Sequence, residues 1–450
     1  MSAAVESLQT EIVAIVGASR VVTDPAACAA LGVDGTTPQC VVYPPSAEAV
    51  AALLRCAAER DLAVIACRNA TKLAVGNPPR RYDVALSLKE MNRVWHYEPA
   101  DLTVTAEPGM KFGDFQHFVG RDGLWLPLDP PGGARASLGG IVATNACGPL
   151  RLSFGAPRDI VLGMKIATVE GKVLKTGGRV VKNVTGYDIG KLLVGSYGTL
   201  GLIVEASFKL FPLPPARATF VMSTGTLGIA RDLRRRILQS PLTPLRMVLL
   251  DAAAATLARQ GAALAADSHE PELWIEFGGS ERVLARCARE LEQQGKAAGI
   301  AVRRVDTEAS DIVWGRITDL HSWAALDAKA VILKVTLPDA ASEEWVSLAQ
   351  QEADGEKAKL AAFAQLGVGI VHGCLLNEIA VPALVGLVNR LRDRARTLGG
   401  ALIVERCPAE LKEQLDVWGT PQDDLGIMRK LKATWDPKGT LAPGRFLGRL

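Results

Sequence analysis

Three glycine-rich segments hold most of the chemistry this 450-residue chain could perform. The first is Leu126 to Leu150, LPLDPPGGARASLGGIVATNACGPL, in which Gly139-Gly140 opens a run of small residues. Without a Cβ, backbone amides can approach a phosphate or a flat ring closely. The same composition also builds a packed glycine corner in an all-β domain, and this segment alone leaves both readings open. The second, Thr176 to Asp188 (TGGRVVKNVTGYD), is either a surface loop or a place where Lys182 and Asn183 face a polar ligand. The third, Gly195 to Ile203 (GSYGTLGLI), leads into a strand. A nicotinamide-type fingerprint would run strand, turn, helix, so this is not one. Ile12 to Arg20 has a single glycine, and no P-loop sequence is present.

Other reactive groups are sparse. The histidines are His96, His117, His269, His321 and His372, none in metal-ligand spacing with another, so no metal site is expected. His372, in Val371-His372-Gly373-Cys374, is the one catalytic candidate, and a structural role at a strand end is the alternative. The eight cysteines contain no CxxC pair, which argues against a zinc ribbon or an iron–sulfur cluster ligated by this chain. They read as free thiols in a reducing compartment. The net charge of +3 gives no electrostatic footprint for nucleic acid or anionic lipid. With 48% apolar and 22% charged residues, the chain can offset its ordering entropy and fold. Met1 to Thr10 carries Glu6 and no basic n-region, and no apolar run reaches the roughly 18 residues of a membrane span. A cytoplasmic protein is expected, with any inner-membrane association made through a partner.

These segments must be positioned by a scaffold, and the hydrophobic pattern outlines it. Strand Cys40 to Tyr43, helix Ala47 to Asp61 with Ser46 as N-cap, and strand Leu62 to Ala66 form a βαβ unit. Further on come strand Leu102 to Glu107, helix Phe112 to Val119, a hairpin turning at Glu170-Gly171, and a long strand Leu200 to Phe211. Pro212-Leu213-Pro214-Pro215 stops that strand and marks a domain boundary. After it, strands and helices alternate in two sets, about 218–305 and 331–405, which read as related α+β halves. Arg234-Arg235-Arg236 reads as a solvated helix face, and Trp314 and Trp418 as packing residues. The fold class is α+β: a first domain over 1–214, a cap over 215–405 of antiparallel sheet with helices on one face, and a tail over 406–450 packing back on the first domain.

Together, DPPGGARASLGGIVATNACGP, GAPRD (Gly155 to Asp159), TGGRVVKNVTGYD and GSYGTLGLI resemble the flavin domain of the vanillyl-alcohol oxidase and p-cresol methylhydroxylase superfamily over about Gly17 to Pro215. The tail WDPKGTLAPGRF (Trp435 to Phe446) is similar to that family's closing motif. Within the superfamily, Thr71-Lys72-Leu73, Gly76-Asn77-Pro78-Pro79 and ERCPAELKEQLDVWG (Glu405 to Gly419) resemble the FAD-binding subunits of bacterial glycolate oxidases. The resemblance implies a PCMH-type FAD-binding domain and an FAD-dependent 2-hydroxy-acid oxidoreductase, acting within a complex that oxidises glycolate to glyoxylate. It implies two partners, a homologous large flavoprotein and an iron–sulfur subunit, between which this chain's flavin relays electrons. It places Arg68, Asn69, Ala70, Thr71 and Lys72 by the pyrophosphate. Pro130, Gly139, Gly140, Ala143, Thr144, Asn145 and Gly148 fall against the flavin, largely through backbone amides, and Ile203 near the adenine or ring edge.

Two departures from the family pattern carry expectations of their own. Where the family has three glycines before Thr-Lys-Leu, this chain has Arg68-Asn69-Ala70. No histidine stands there, so FAD is expected to be non-covalent. Asn69 best tolerates the left-handed backbone that a glycine would adopt, and Arg68 can pair with phosphate. Restoring glycine at 68, 69 and 70 is expected to tighten FAD binding, and a flavin-free scaffold subunit stays open as an alternative. In the cap, His372 lacks the second histidine of catalytic relatives. That favours a relay subunit over the other alternative, a free-standing dehydrogenase of the D-lactate type.

Overall fold

In the computed structural model, the described residues are 3–179, 188–264, 269–320, 323, 325, 327, 329–376, 378–421 and 423–450. Lys182 and Asn183 lie outside them.

The βαβ segment forms where alternating and helical apolar spacing predict it. Ser46 Oγ accepts the Ala49 amide at 3.2 Å and starts the helix Ala47–Glu59. Its apolar face (Val50, Leu53, Leu54, Ala57) is buried between two sheets. One is four-stranded, with Cys40–Val42 and Val64–Cys67 both parallel to Val84–Ser87, which lies between them. The other is a five-stranded antiparallel sheet built around Leu202–Lys209. Its hairpin, Val161–Ala167 with Val173–Gly177, turns at Gly171 with φ +79°. The expected strand to Phe211 ends earlier, at Lys209. Phe211–Pro212 leaves the sheet to pair with Leu124–Trp125, an edge position where proline's missing N–H does no harm.

Residues 216–406 supply a single eight-stranded antiparallel sheet. In spatial order it runs Arg303–Val305, Ala216–Ser223, Glu272–Gly279, Arg246–Leu250, Lys359–Gln365, Ile370–Leu376, Val331–Thr336, Ala401–Arg406. Number the four strands of each half in chain order. The order is then 4-1-3-2 meeting 2-3-1-4, so the halves are mirrored in sequence and joined where Val248 pairs with Gln365. The two sets are thus related, as their alternation suggests.

The expectation of helices on one face needs correction. Leu227–Leu238, Glu281–Ala297, Ser342–Gly355 and Val381–Thr397 do cover one face. Ala252–Arg259 and Thr307–Thr318 cover the other, over Val221, Val248, Leu250 and Trp274. Both sets of alternating positions in these strands are apolar, so both faces need a cover. A second correction concerns Arg234. It is buried at 7% exposure and ion-paired with Glu343 and Asp339, because its helix packs against the 339–355 segment instead of facing solvent.

The tail returns to the first half. Val64 N–H donates to Thr440 O, Ala442 N–H donates to Val64 O, and Leu441 is buried in the first-half core. Among the described residues, no helix is long and apolar enough to cross a membrane.

Candidate functional site

A solvent-open cleft with about 1140 Å³ of empty space lies where the turn after Val64–Cys67, the helix Leu138–Thr144, the 196–203 segment and the tail converge. Arg68, Asn69, Ala70, Thr71, Lys72, Gly139, Gly140, Ala143, Thr144 and Ile203 all line it. Three separate stretches of sequence are thereby brought to one place.

At the turn, the backbone has kept what the missing glycines would have provided. Only one residue takes the left-handed conformation, and it is Ala70 (φ +56°), not Asn69. Leu73 N–H donates to Ala70 O and Val75 N–H donates to Lys72 O, which closes the turn. The amides of Asn69, Ala70, Thr71 and Lys72 then have no hydrogen-bond partner among the described residues, and neither has the Thr71 hydroxyl. Consecutive unpaired N–H groups are an anion receptor. Arg68 lines the cleft and is already engaged at two of its nitrogens. Its Nε donates to Gly109 O at 3.0 Å and its Nη1 to Asn69 Oδ1, while Asn69 Nδ2 donates to Arg135 O, so both side chains brace the turn.

On the facing wall, Ser137 Oγ caps Leu138–Thr144 by accepting the Gly140 amide at 3.3 Å. The Gly139 amide donates to Pro108 O at 2.8 Å, and a Cβ at Gly139 would stand 2.5 Å from Pro108 Cβ. These two glycines therefore give the cleft a close-packed wall, not free amides. Three expected contacts do not line it. Gly148 gives its amide to Asp129 Oδ1 at 2.8 Å, Asn145 caps the helix end with φ +48°, and Pro130 is displaced by Pro131.

Beside Lys72 lies a buried charged cluster shared with the cap. Lys72 Nζ pairs with Glu405 Oε2 at 3.1 Å, with side chains 11% and 5% exposed. Burial opposes ionisation of Glu405, but Lys72, Lys334 and His372 outweigh it and hold the carboxyl down at about 2. His372 stacks on Phe363 at 5.0 Å. Its Nδ1 is buried without a partner among the described residues, and burial pushes its pKa down to about 3. It is a neutral imidazole beside an ion pair.

Sequence reasoning missed Tyr197, Trp418 and Arg445 as cleft residues. Trp418, read as packing, does pack, with its ring 4.8 Å from Tyr197 and 5.0 Å from Phe446, but it also walls the cleft. The only signal for Arg445 was its place in the closing motif WDPKGTLAPGRF.

Comparison with known proteins identifies the family. Residues 38–177 match the model for the FAD binding domain, and residues 213–446 match that for the C-terminal domain of FAD linked oxidases. The chain belongs to the FAD-linked oxidases. Its cofactor is FAD. It is 25% identical over 420 residues to glycolate oxidase subunit GlcD of Bacillus subtilis, covering 92% of this chain and 89% of that one. Identity to the mitochondrial D-lactate dehydrogenase [cytochrome] of Arabidopsis thaliana is 27% over 428 residues, with 91% and 73% covered. Substrate-bound p-cresol methylhydroxylase shares the fold, with a TM-score of 0.76 at 16% identity over 99% of this chain and 97% of that one. As an FAD-linked oxidase, the chain is an FAD-dependent oxidoreductase of the type that acts on 2-hydroxy acids. The four unpaired amides at 69–72 suit the diphosphate of such a cofactor.

Proposed function

We propose that this chain is the FAD-binding subunit of a complex that oxidises glycolate to glyoxylate. Its parts are a flavin domain over 1–214, a cap over 215–405 and a tail over 406–450. The observation that carries this reading is the receptor of free amides at Asn69 to Lys72, preserved although the glycines are gone. A chain that had abandoned its flavin would have no need to keep a strained Ala70. The amides and the Thr71 hydroxyl hold the diphosphate. Gly139, Gly140, Ala143 and Thr144 wall the cleft and would hold the flat ring, with Ile203 at its edge. FAD, when bound, supplies a redox centre that can take up two electrons and pass them on.

A second part of the proposal concerns where substrate is oxidised. A neutral His372 with a pKa near 3 is a weak proton acceptor. That supports oxidation on a homologous large flavoprotein, with this chain's flavin relaying electrons to an iron–sulfur subunit. Membrane association, in this reading, comes through those partners. One observation favours the free-standing D-lactate-type reading instead. Lys334 has no ion-pair partner among the described residues, yet stands within electrostatic reach of Glu405 and His372. An unpaired cation there is a place for a substrate carboxylate.

The test is the visible spectrum of the purified chain, with released flavin identified, followed by anaerobic addition of glycolate or D-lactate with and without the partner subunits. The proposal expects about one FAD per chain and bleaching by glycolate only in the complex. Rapid bleaching of the isolated chain by D-lactate would establish the free-standing reading. A colourless chain that takes up no FAD would reject both.

A further inference from the structure

Arg445 sits at the junction of tail and cleft, 7% exposed, and it lines the cleft. Its carbonyl is held by Trp418 Nε1 at 2.8 Å and by the Asn77 amide at 3.0 Å, so its backbone is fixed from two sides. Its Nη2 donates to the carbonyls of both Leu73 and Val75, which lie one and three residues after the four free amides. Its Nη1 is buried and has no hydrogen-bond partner among the described residues. A buried guanidinium nitrogen left unbonded carries a desolvation cost, and in native proteins such groups ordinarily find partners. The nearby charges do not use it, since Asp34 is taken by Lys412 at 2.9 Å.

We infer that Arg445 is a cofactor-binding residue: its Nη2 fixes the 69–75 turn from behind, and its Nη1 is reserved for the diphosphate of FAD. This rests on the FAD reading above and extends it to a residue outside the flavin domain. The turn that lost its glycines thereby gains a charge-assisted donor from the far end of the chain. A planar guanidinium can serve carbonyl and anion at once through separate nitrogens, which an ammonium cannot do with the same geometry.

The experiment titrates apo wild type, Arg445→Met and Arg445→Lys with FAD and, separately, with riboflavin, which lacks the diphosphate, at two salt concentrations. The inference expects Arg445→Met to lose about tenfold or more in FAD affinity, the scale of one charge-assisted hydrogen bond. Riboflavin affinity stays unchanged, and the salt dependence of FAD binding becomes shallower. Arg445→Lys, which keeps the charge and a tie to the turn, is expected to fall between the two. Equal losses for FAD and riboflavin would make Arg445 a strut only and overturn the inference, as would undiminished FAD affinity in either variant. Should Arg445→Met not fold, the Lys variant decides by the same comparison. Failure of wild type to bind FAD at all would instead strike the reading on which this one rests.

Discussion

At position 70 a Cβ stands on a left-handed backbone, φ +56°, for which an L-residue pays about 1 kcal/mol. The flanking replacements are not strained and hold bonds of their own: Arg68 to Gly109 O, and Asn69 to Arg135 O. The expectation that three glycines would tighten FAD binding therefore divides. Ala70→Gly alone is expected to stabilise the chain by about 0.5–1 kcal/mol in urea titration and to hold FAD at least as tightly. The triple glycine variant gives up three bracing bonds, each worth about 1 kcal/mol, and is expected to bind FAD more weakly than Ala70→Gly. Calorimetric affinities in the reverse order would show that the side chains, not the backbone, had displaced the cofactor. The glycine clusters located most of this cleft because glycine marks close backbone approach. Tyr197 sits inside the third glycine-rich segment and Arg445 inside the closing motif, but which residue of each reaches the cleft is set by long-range convergence, which leaves no local pattern.

The two first-half helices with one apolar face were legible to within a residue or two: those expected at Ala47 to Asp61 and Phe112 to Val119 run Ala47–Glu59 and Phe112–Gly120, the first with the Ser46 oxygen accepting the cap bond. The strand Lys359–Gln365 was missed, although it joins the two halves of the cap sheet. Its sequence, KLAAFAQ, is alanine-rich, and alanine is depleted in strands. The structure supplies the reason. Ala362 and Ala364 face the first helical layer, while Ala361 and Phe363 face the second, and helices pack close on both sides. The short helix Ala252–Arg259 was missed for a related reason, since its alanines offer little contrast between faces. Ala362 is fully buried, so Ala362→Leu must force sheet and helix apart. It is expected to cost about 1–3 kcal/mol by overpacking, read as a lower urea midpoint with an unchanged slope. A neutral result would mean the helical layer can shift freely, contrary to the close contact seen here.

At the scale of the molecule, the two halves meet through buried charge, and the groups at that junction tie its stability to pH. Glu405, on the cap's edge strand, pairs with Lys72 of the first half, and His372 lies alongside. In the folded state Glu405 holds its proton only below about 2, against an ordinary value of 4.5. His372 does so only below about 3, against an ordinary 6.5. Both groups therefore bind protons more weakly folded than unfolded. Between those limits these two groups carry more protons in the unfolded chain, so the stability they contribute rises with pH and is lost as pH falls. The His372 share is lost from about 6.5 downward, and the Glu405 share from about 4.5 downward. Asp129 and Asp251, whose carboxyls burial raises to about 7, act in the opposite sense over the same range, so the His372 share is read as the difference between wild type and a His372 variant in urea midpoints measured from pH 7.5 to 4.5. As pH drops from 6.5 to 4.5, wild type is expected to lose stability relative to His372→Leu, which cannot charge, so the gap between their midpoints should shift steadily against wild type. If the variant instead kept the wild-type slope from pH 6.5 to 5, the imidazole would have to be protonated within the folded chain. His372 would then join Lys72 and Lys334 as a positive partner of Glu405, and be a far more capable proton carrier than its burial allows.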